Sequence, residues 1–447
     1  MKVALIQPHH NFADLAPPLC LGYLATYARR VVSEAEFKIV DLSMGDNLKS
    51  ALGSFEPDII GVTGSTPIAG SQAKLLTNLR SQFPKSRIFV GGPHASTAKS
   101  DLLEFDIDGV VVGEGEATFT DILKACGDPD GIPGVLTRKG DFKERPKIKD
   151  LDTIPFPDRN YYNMSNYKIQ GALVTSRGCP YSCTFCCQGV TGKSWRGHSP
   201  EYVVEEIEYL VKNYRVSSVR MMEDNPVIQK KRIVKICELL NQRGLAKKIR
   251  VENNSGIRAD LVDDEMLIAL KSVGLDVVWI GLESADPDVL KAVLKGVTLE
   301  QIEKAIMTCK KHGLMVSLYV TVGMQGDTLE KNKKTLEFVK RMKADNCIVS
   351  VATPYPGTAL KDWVDKHGRW IERDYKKWYG HIDVDESPCF DTEDFQLHER
   401  MEAIRMWHKH IARQHASIAL RHPMRAFGYA FKHPRVVFDS LRNIIRI

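Results

Sequence analysis

Five short β-rich runs recur along the first 115 residues: KVALIQ (2–7), KIVDL (38–42), DIIGVTG (58–64), RIFVGG (87–92) and GVVVGEG (109–115). Segments of helix length separate them. Strands joined by helical crossovers must lie parallel, and a parallel sheet has to be covered on both faces. The expectation is therefore an α/β fold that opens with a doubly wound parallel sheet of Rossmann/flavodoxin type over residues 1–150. Ligands of such sheets bind outside the carboxyl ends of the strands. Those ends carry Thr63, Ser65 and Thr66, then Gly91, Gly92, Pro93 and His94, then Gly113, Glu114, Gly115 and Glu116. Glycines there let a backbone approach a ligand closely, although the same residues also serve as plain strand-to-helix turns. The linker DLDTIPFPDRNYY (150–162), with two prolines, marks the boundary.

The second block repeats the alternation. Expected strands are ALVTSRG (172–178), SVRMMED (218–224), RVENNSGI (250–257), DVVWIGLES (276–284), MVSLYVTVG (315–323) and NCIVSVATP (346–354). Between them lie helical patterns such as PEYVVEEIEYLVKNY (200–214) and DDEMLIALKSVG (263–274), the latter opened by aspartates and closed by Gly274. Six β/α units make a partial (β/α)6 barrel over 151–365, with functional groups at the carboxyl ends of its strands. Residues 366–447 read as a mainly helical C-terminal extension. Within it RWIERDYKKWYGHIDVD (369–385) is aromatic and is expected to close over the barrel mouth.

Charge narrows the partners. The formal net charge is +6, and from residue 401 onward nine Lys or Arg face only Glu402 and Asp439. The first 400 residues are close to neutral, which argues against nucleic-acid binding by the main body. The tail RHPMRAFGYAFKHPRVVFDSLRNIIRI (421–447) alternates basic and apolar residues, so it either docks on its own protein or lies peripherally on an anionic membrane. MKVALIQPHH has no signal-peptide core, and no apolar stretch reaches 18 residues. The expected location is cytoplasmic, with the inner membrane face as the alternative.

Four of the ten cysteines fall in SRGCPYSCTFCC (176–187), directly after the first barrel strand. Outside this group their spacing is irregular, which points to free thiols in a reducing compartment rather than to a disulfide framework. Cys179, Cys183 and Cys186 are spaced C-x3-C-x2-C, and a loop of that spacing can give three thiolates to a cubic iron–sulfur cluster and leave its fourth iron open. Structural zinc normally pairs two separated Cys/His elements, and no second element is evident near this loop. Cys187 would complete a four-thiolate electron-transfer cluster. Adjacent side chains diverge, however, so the reading favours three ligands and a vacancy.

CPYSCTFC following a first barrel strand resembles the signature loop of the radical S-adenosylmethionine enzymes. PDIIGVTGST, IFVGGPHAS and DGVVVGEGEAT resemble the cobalamin-binding domain that precedes the barrel in one subclass, and GIRAD, VWIGLESAD, LKGVT, HGLMVSLYVTVGMQGDT and TPYPGTAL are similar to that subclass's later strands, in order. The resemblance implies that Cys179, Cys183 and Cys186 hold a [4Fe-4S] cluster whose unique iron is chelated by S-adenosylmethionine. One-electron reduction then gives a 5′-deoxyadenosyl radical that takes hydrogen from an unactivated carbon. It places Phe185, or Tyr181, against adenine, Arg258 on the carboxylate, and Glu283 and Ser284 on the ribose or amino group. Glu223 or Asp224 ends the second strand in a similar role, and Gly323 allows a close backbone approach; each of these also has a plainer reading as a solvated strand end. The loop GMQGDT departs from the family in Gln325 and Asp327. Cobalamin is implied in the base-off form without a histidine ligand, since QPHHNFAD lacks the D-x-H-x-x-G motif. Thr63, Ser65 and Thr66 would lie near its nucleotide tail, with Gly91, Gly92, Gly113 and Glu114 around the corrin edge; a domain that binds nothing is the alternative. The implied activity is methyl transfer to a carbon of a small-molecule or lipid-like substrate, with an external one-electron reductant of flavodoxin or ferredoxin type. Non-methylating radical chemistry, or an iron–sulfur carrier or scaffold, are the alternatives.

Overall fold

The structure is a computed structural model, and it describes residues 1–421 apart from 13–14, 46, 141, 189 and 379–386. The basic tail from 422 and the last part of the aromatic segment 369–385, from 379 onward, lie outside the described residues. Among the described residues no helix is long and apolar enough to cross a membrane.

The first unit runs β1 (Lys2–Gln7), α1 (Leu19–Arg29), β2 (Glu36–Asp41), α2 (Leu48–Leu52), β3 (Ile59–Val62), α3 (Ala69–Gln82), β4 (Arg87–Val90), α4 (Gly92–Ala98), β5 (Gly109–Val111), α5 (Gly115–Lys124) and β6 (Val135–Leu136). The sheet order is β2-β1-β3-β4-β5-β6, parallel throughout except for the antiparallel edge strand β6. This is the flavodoxin-type order, and its ligand crevice falls where the chain reverses direction between β1 and β3. Alternate residues feed opposite faces: Val3, Leu5 and Phe89 pack with α1 and α5, while Ala4, Ile6 and Val90 pack on the other face. Two-sided burial is why these strands read as nearly unbroken apolar runs.

The barrel strands are β7 (Ala172–Leu173), β10 (Ser218–Met221), β11 (Arg250–Asn253), β12 (Val277–Glu283), β13 (Met315–Val322) and β14 (Asn346–Val351). They form two three-stranded parallel sheets, β11-β10-β7 and β12-β13-β14, joined by a bridge between Ile257 and Ile280. The expected strand 172–178 is broken. Its second half, β8 (Ser176–Arg177), leaves the barrel and pairs antiparallel with β9 (Arg196–Gly197), making a ribbon that carries the cysteine loop. The covering helices are α6 (Pro200–Tyr214), α7 (Lys230–Gln242), α8 (Asp264–Ser272), α9 (Pro287–Ala292), α10 (Leu299–Lys311) and α11 (Leu329–Met342). Side-chain caps start most of them, Ser199 for α6, Asp263 for α8 and a Thr298/Gln301 capping box for α10.

The C-terminal region adds α12 (Ala359–His367), a small ribbon of β15 (Arg369–Trp370) and β16 (Phe390–Asp391), and α13 (Leu397–Arg421). It is not a detached appendage. Phe395, Ala403, Ile404 and the fully buried Trp407 belong to the same apolar core as the barrel strands.

Candidate active site

A cavity of about 290 Å³ opens at the carboxyl ends of β1, β3, β4 and β5 and is closed on its far side by the ribbon and the end of β10. Its deep part is apolar, walled by Leu5, Leu21, Leu24, Phe89, Val111 and Phe119. Gly61 forms part of the wall, and a β-carbon there would stand 2.8 Å from the Leu5 side chain. Its mouth is polar, with Thr63, Glu114, Glu116, Ser176, Arg177, Glu223 and Asp224. Two buried hydroxyls on this wall, Tyr23 Oη and Ser176 Oγ, have no hydrogen-bond partner. Buried polar atoms are rarely left unpaired. An apolar slot with waiting hydroxyls at its rim fits a corrinoid whose benzimidazole base is apolar and whose ribose, phosphate and amide margin are polar.

Of the seven residues expected around a corrinoid, Thr63, Gly91, Gly92, Gly113 and Glu114 line this cavity. Gly113 has φ +85° and open space where a β-carbon would point, so a ligand can meet its backbone. Ser65 and Thr66 are not among the residues that line the cavity, and buried Thr66 shares a hydrogen bond of 3.2 Å with His94 Nδ1. Burial holds the His94 imidazole neutral, with a pKa lowered to about 4. His9 bonds the Leu42 carbonyl and Asn11, His10 stacks on Phe12, and no histidine is among the cavity's described lining residues.

The cysteine loop is held by a few directed bonds. Cys179 N donates to the Gly192 carbonyl, Gln188 Nε2 donates to the carbonyls of Cys179 and Tyr181, and the backbone of Thr184 pairs with Val293 and Leu360. Cys179 and Cys183 are partly exposed and Cys186 is exposed, and all ten cysteines are free. The three expected ligands are electrostatic neighbours. Crowding by protein, then Asp224 and the other thiols, push the Cys186 thiol up to about 12, so a cation is needed to hold it as thiolate. Among the described residues no three His, Cys, Asp or Glu side chains close on a single metal ion. Three thiols on one short loop match a polynuclear cluster with an open iron, whereas structural zinc normally draws four ligands from two separated Cys/His elements.

The remaining expected residues divide. Arg258 lies beside the loop, its guanidinium 3.5 Å from the Tyr181 ring centroid. It also bonds Asp260 twice and the carbonyls of Lys295 and Gly296, which commits four of its five N–H donors. It is a bracket on the loop rather than an open clamp for a carboxylate. Glu283, at φ +62°, receives Lys295 Nζ at 2.7 Å and Thr321 Oγ1 at 2.9 Å. A left-handed conformation at a non-glycine residue is strained and tends to persist at functional sites. Ser284 follows the last residue of β12, past the register shift at Gly281–Glu283, and its hydroxyl makes a 3.4 Å contact with Thr335 on α11. Phe185 is half-buried and packs against the apolar cluster of Val293, Leu360 and Trp378. Glu223 lines the cavity but accepts from Thr175 N and Oγ1, and burial pushes its pKa up to about 6. Gly323 does have a close neighbour, Arg400 of α13, which donates to its carbonyl; its own N–H donates to Asp327.

Alternation along the strands leaves Arg220, Glu252, Trp279, Tyr319 and Ile348 on the face opposite the helix-covered core, toward the barrel lumen. Arg220 bonds Glu252 at 2.8 Å, and Trp279 and Tyr319 lie 5.2 Å apart. Sequence reading missed these, together with Lys295, Arg177 and Arg196. Arg177 offered one signal, standing two residues before Cys179.

Residues 10–123 match the family model described as B12 binding domain, and residues 173–339 match the Radical SAM superfamily. An uncharacterized methyltransferase of Pyrococcus horikoshii is 32% identical over 410 residues, covering 85% of this chain and 86% of its own. The anaerobic magnesium-protoporphyrin IX monomethyl ester cyclase of Rubrivivax gelatinosus is 28% identical, over 80% of this chain and 69% of its own. Among solved structures, the radical S-adenosylmethionine methyltransferase TsrM of Kitasatospora setae has the same fold, with a TM-score of 0.70 at 18% identity over 86% of this chain and 83% of that chain. With both domains present in order and a relative above 30% identity along most of its length, the chain is an enzyme that belongs to the radical SAM superfamily, in the subclass that carries an N-terminal B12 binding domain.

Proposed function

We propose that the protein is a cobalamin-dependent radical S-adenosylmethionine methyltransferase acting at an unactivated carbon of a small-molecule or lipid-like substrate. The observation that carries this reading is the shared wall: residues of the N-terminal cavity (Thr63, Gly92, Glu114) and of the cysteine ribbon and β10 (Arg177, Thr191, Glu223) line one space. In this reading residues 1–150 hold cobalamin, 151–365 hold the cluster and S-adenosylmethionine, and 366–447 complete the barrel and shape the pocket. When bound, the cluster supplies an electron for cleavage of S-adenosylmethionine and the corrinoid supplies the methyl group.

The chain's own residues then bind, orient and exclude water. Cys179, Cys183 and Cys186 ligate the cluster, and Cys187 does not. Arg258 and Tyr181 fix the loop from one side, and Gln188 fixes it from within. Glu283, held by Lys295 and Thr321, offers a carboxylate at the strand end for a cationic or hydroxyl-bearing group. The apolar wall of the N-terminal slot excludes water from the nucleotide tail. The lumen pair Trp279 and Tyr319, with Ile348, gives an aromatic and apolar surface suited to a hydrophobic substrate body. The electron comes from an external flavodoxin- or ferredoxin-type donor, and the setting is cytoplasmic, with peripheral membrane contact through the basic tail as the reading for a lipid-like substrate.

Similarity to the Rubrivivax cyclase keeps a second reading in view, the same cofactors used without methylation. Anaerobic turnover of the reconstituted enzyme under reductant separates them. Methyl transfer yields S-adenosylhomocysteine together with 5′-deoxyadenosine, whereas 5′-deoxyadenosine alone would overturn it in favour of the second reading.

A further inference from the structure

We propose that Glu114, Glu116, Arg177 and Arg196 form a positioning clasp that fixes the cysteine loop against the mouth of the N-terminal cavity, and that this placement couples S-adenosylmethionine cleavage to group transfer. The coupling half of the statement rests on the function proposed above; the placement half does not.

Arg177 and Arg196 are direct partners in the β8–β9 ribbon, and everything between them is the loop that carries Cys179, Cys183 and Cys186. The neck of this ribbon is tight. Gly178 has φ +87°, and a β-carbon there would collide with the Ser194 carbonyl and stand 2.9 Å from that of Gly192. A shift at the two arginines is therefore transmitted to the cysteines rather than absorbed.

Both arginines reach out of the barrel to the turn after β5 in the other unit. Arg196 Nη2 and Nη1 donate to the two oxygens of Glu114 at 2.5 and 3.1 Å. Arg177 Nη2 donates to Glu116 at 2.6 Å, with its Nη1 3.8 Å from Glu114. The four side chains are only 5–11% exposed. Arg196 also donates to the Ile148 carbonyl just ahead of the linker, and the Arg177 guanidinium sits 5.6 Å from the Tyr23 ring centroid on α1. Burial works against ionisation of Glu116, yet Arg177 beside it more than reverses this and lowers its pKa.

A buried ion quartet is poor value as a stabiliser, because desolvation consumes most of its Coulomb energy. What the forked guanidinium–carboxylate geometry supplies is fixed direction and distance. Here that geometry joins the two surfaces of one cavity, since Glu114, Glu116 and Arg177 line it from opposite units. Chemistry that uses groups from both units depends on their separation, and a misplacement near 1 Å costs about a hundredfold in rate.

The test uses full-length enzyme reconstituted with cluster and cobalamin. Arg196 does not line the cavity, so Arg196→Gln removes the fork without touching that surface. The expected result is full iron and cobalamin content, an altered magnetic coupling between the reduced cluster and cob(II)alamin by electron paramagnetic resonance, and a methylated-product to 5′-deoxyadenosine ratio lowered by about a hundredfold. Magnetic coupling identical to wild type would overturn the clasp. Arg196→Lys, which keeps one charged donor for Glu114 but not the fork, should bring the magnetic coupling part of the way back to wild type; a coupling no nearer wild type than that of Arg196→Gln also overturns the clasp. If the wild-type enzyme makes no methylated product, methyl transfer is refuted, and the magnetic measurement still decides the clasp.

Discussion

The N-terminal cavity and the cysteine loop face each other, and what holds their walls differs. Leu5, Leu21, Phe89, Val111 and Phe119 belong to the apolar core between the sheet and helices α1 and α5, so the cavity is a shape left inside a packed interior. The loop has little core of its own. It is tied by Gln188 to two carbonyls, by the Thr184 backbone to Val293 and Leu360, and by the stack of Arg258 on Tyr181. Its thiols repel further ionisation until metal arrives. Packing makes a site before its ligand binds, whereas directed bonds around a metal site leave the last step to ligation.

Three substitutions test that contrast. The largest effect is expected for Cys183→Ala, which should abolish iron and sulfide content and all cleavage of S-adenosylmethionine while cobalamin binding persists; Cys187→Ala in parallel should keep its cluster. Iron analysis and visible absorbance of the anaerobic protein check both, and a clusterless Cys187→Ala would show that four thiolates are used. Gly61→Phe fills the cavity from its wall. It should weaken cobalamin binding by roughly a hundredfold, about 3 kcal/mol, at an overpacking cost of about 1–3 kcal/mol in stability, with the cluster intact. Equilibrium titration and denaturant unfolding read the two numbers, and unchanged cobalamin affinity would mean the ligand lies elsewhere.

The smallest effect is on pH dependence. Burial raises the Glu223 pKa to about 6 in the folded chain from an ordinary 4.5. Between those values the folded state holds the extra proton, so unfolding free energy should fall as pH rises through the window, by about 2 kcal/mol in all. Glu223→Gln should flatten that slope, and a profile unchanged by the substitution would place the titration on another group. Asp327, raised by burial to about 6, contributes in the same direction from beyond the carboxyl end of β13 in the other barrel sheet, so the comparison needs the single substitution rather than the bare profile.

Much of the scaffold was legible because it rests on local pattern. Strands β1, β3, β4 and β5 fall within the runs that announced them and β2 starts two residues ahead of its run, since two-sided burial demands continuous apolar residues, whereas the short edge strand β6 was not expected; α6 occupies the residues its pattern named. The run 172–178 misled because it is apolar enough for one strand, while Gly178 and the distant partner Arg196 pull its second half into a ribbon. The site was legible as positions and not as contacts. Glu283 ends β12 as expected and Arg258 lies beyond β11, which stops at Asn253, yet their partners Tyr181, Gly296, Lys295 and Thr321 come from other elements, and no local rule names them. The neighbours of Ser284 and Phe185 were hidden for a related reason: position in the sequence does not say which way a side chain turns.

The helix that ends the described chain sets an order on synthesis. Arg400 holds the Gly323 carbonyl, Trp407 donates to Asn332, and Phe395, Ala403 and Ile404 fill the barrel's own core. The N-terminal sheet has all its strands once residue 136 is made and can fold as soon as it leaves the ribosome. The barrel waits for nearly 300 further residues, with strands β12 to β14 lacking one covering helix until α13 emerges. A nascent chain therefore presents a finished cobalamin-type domain tethered to an open, apolar half-barrel, and a message truncated before residue 395 yields that aggregation-prone form rather than a shorter enzyme.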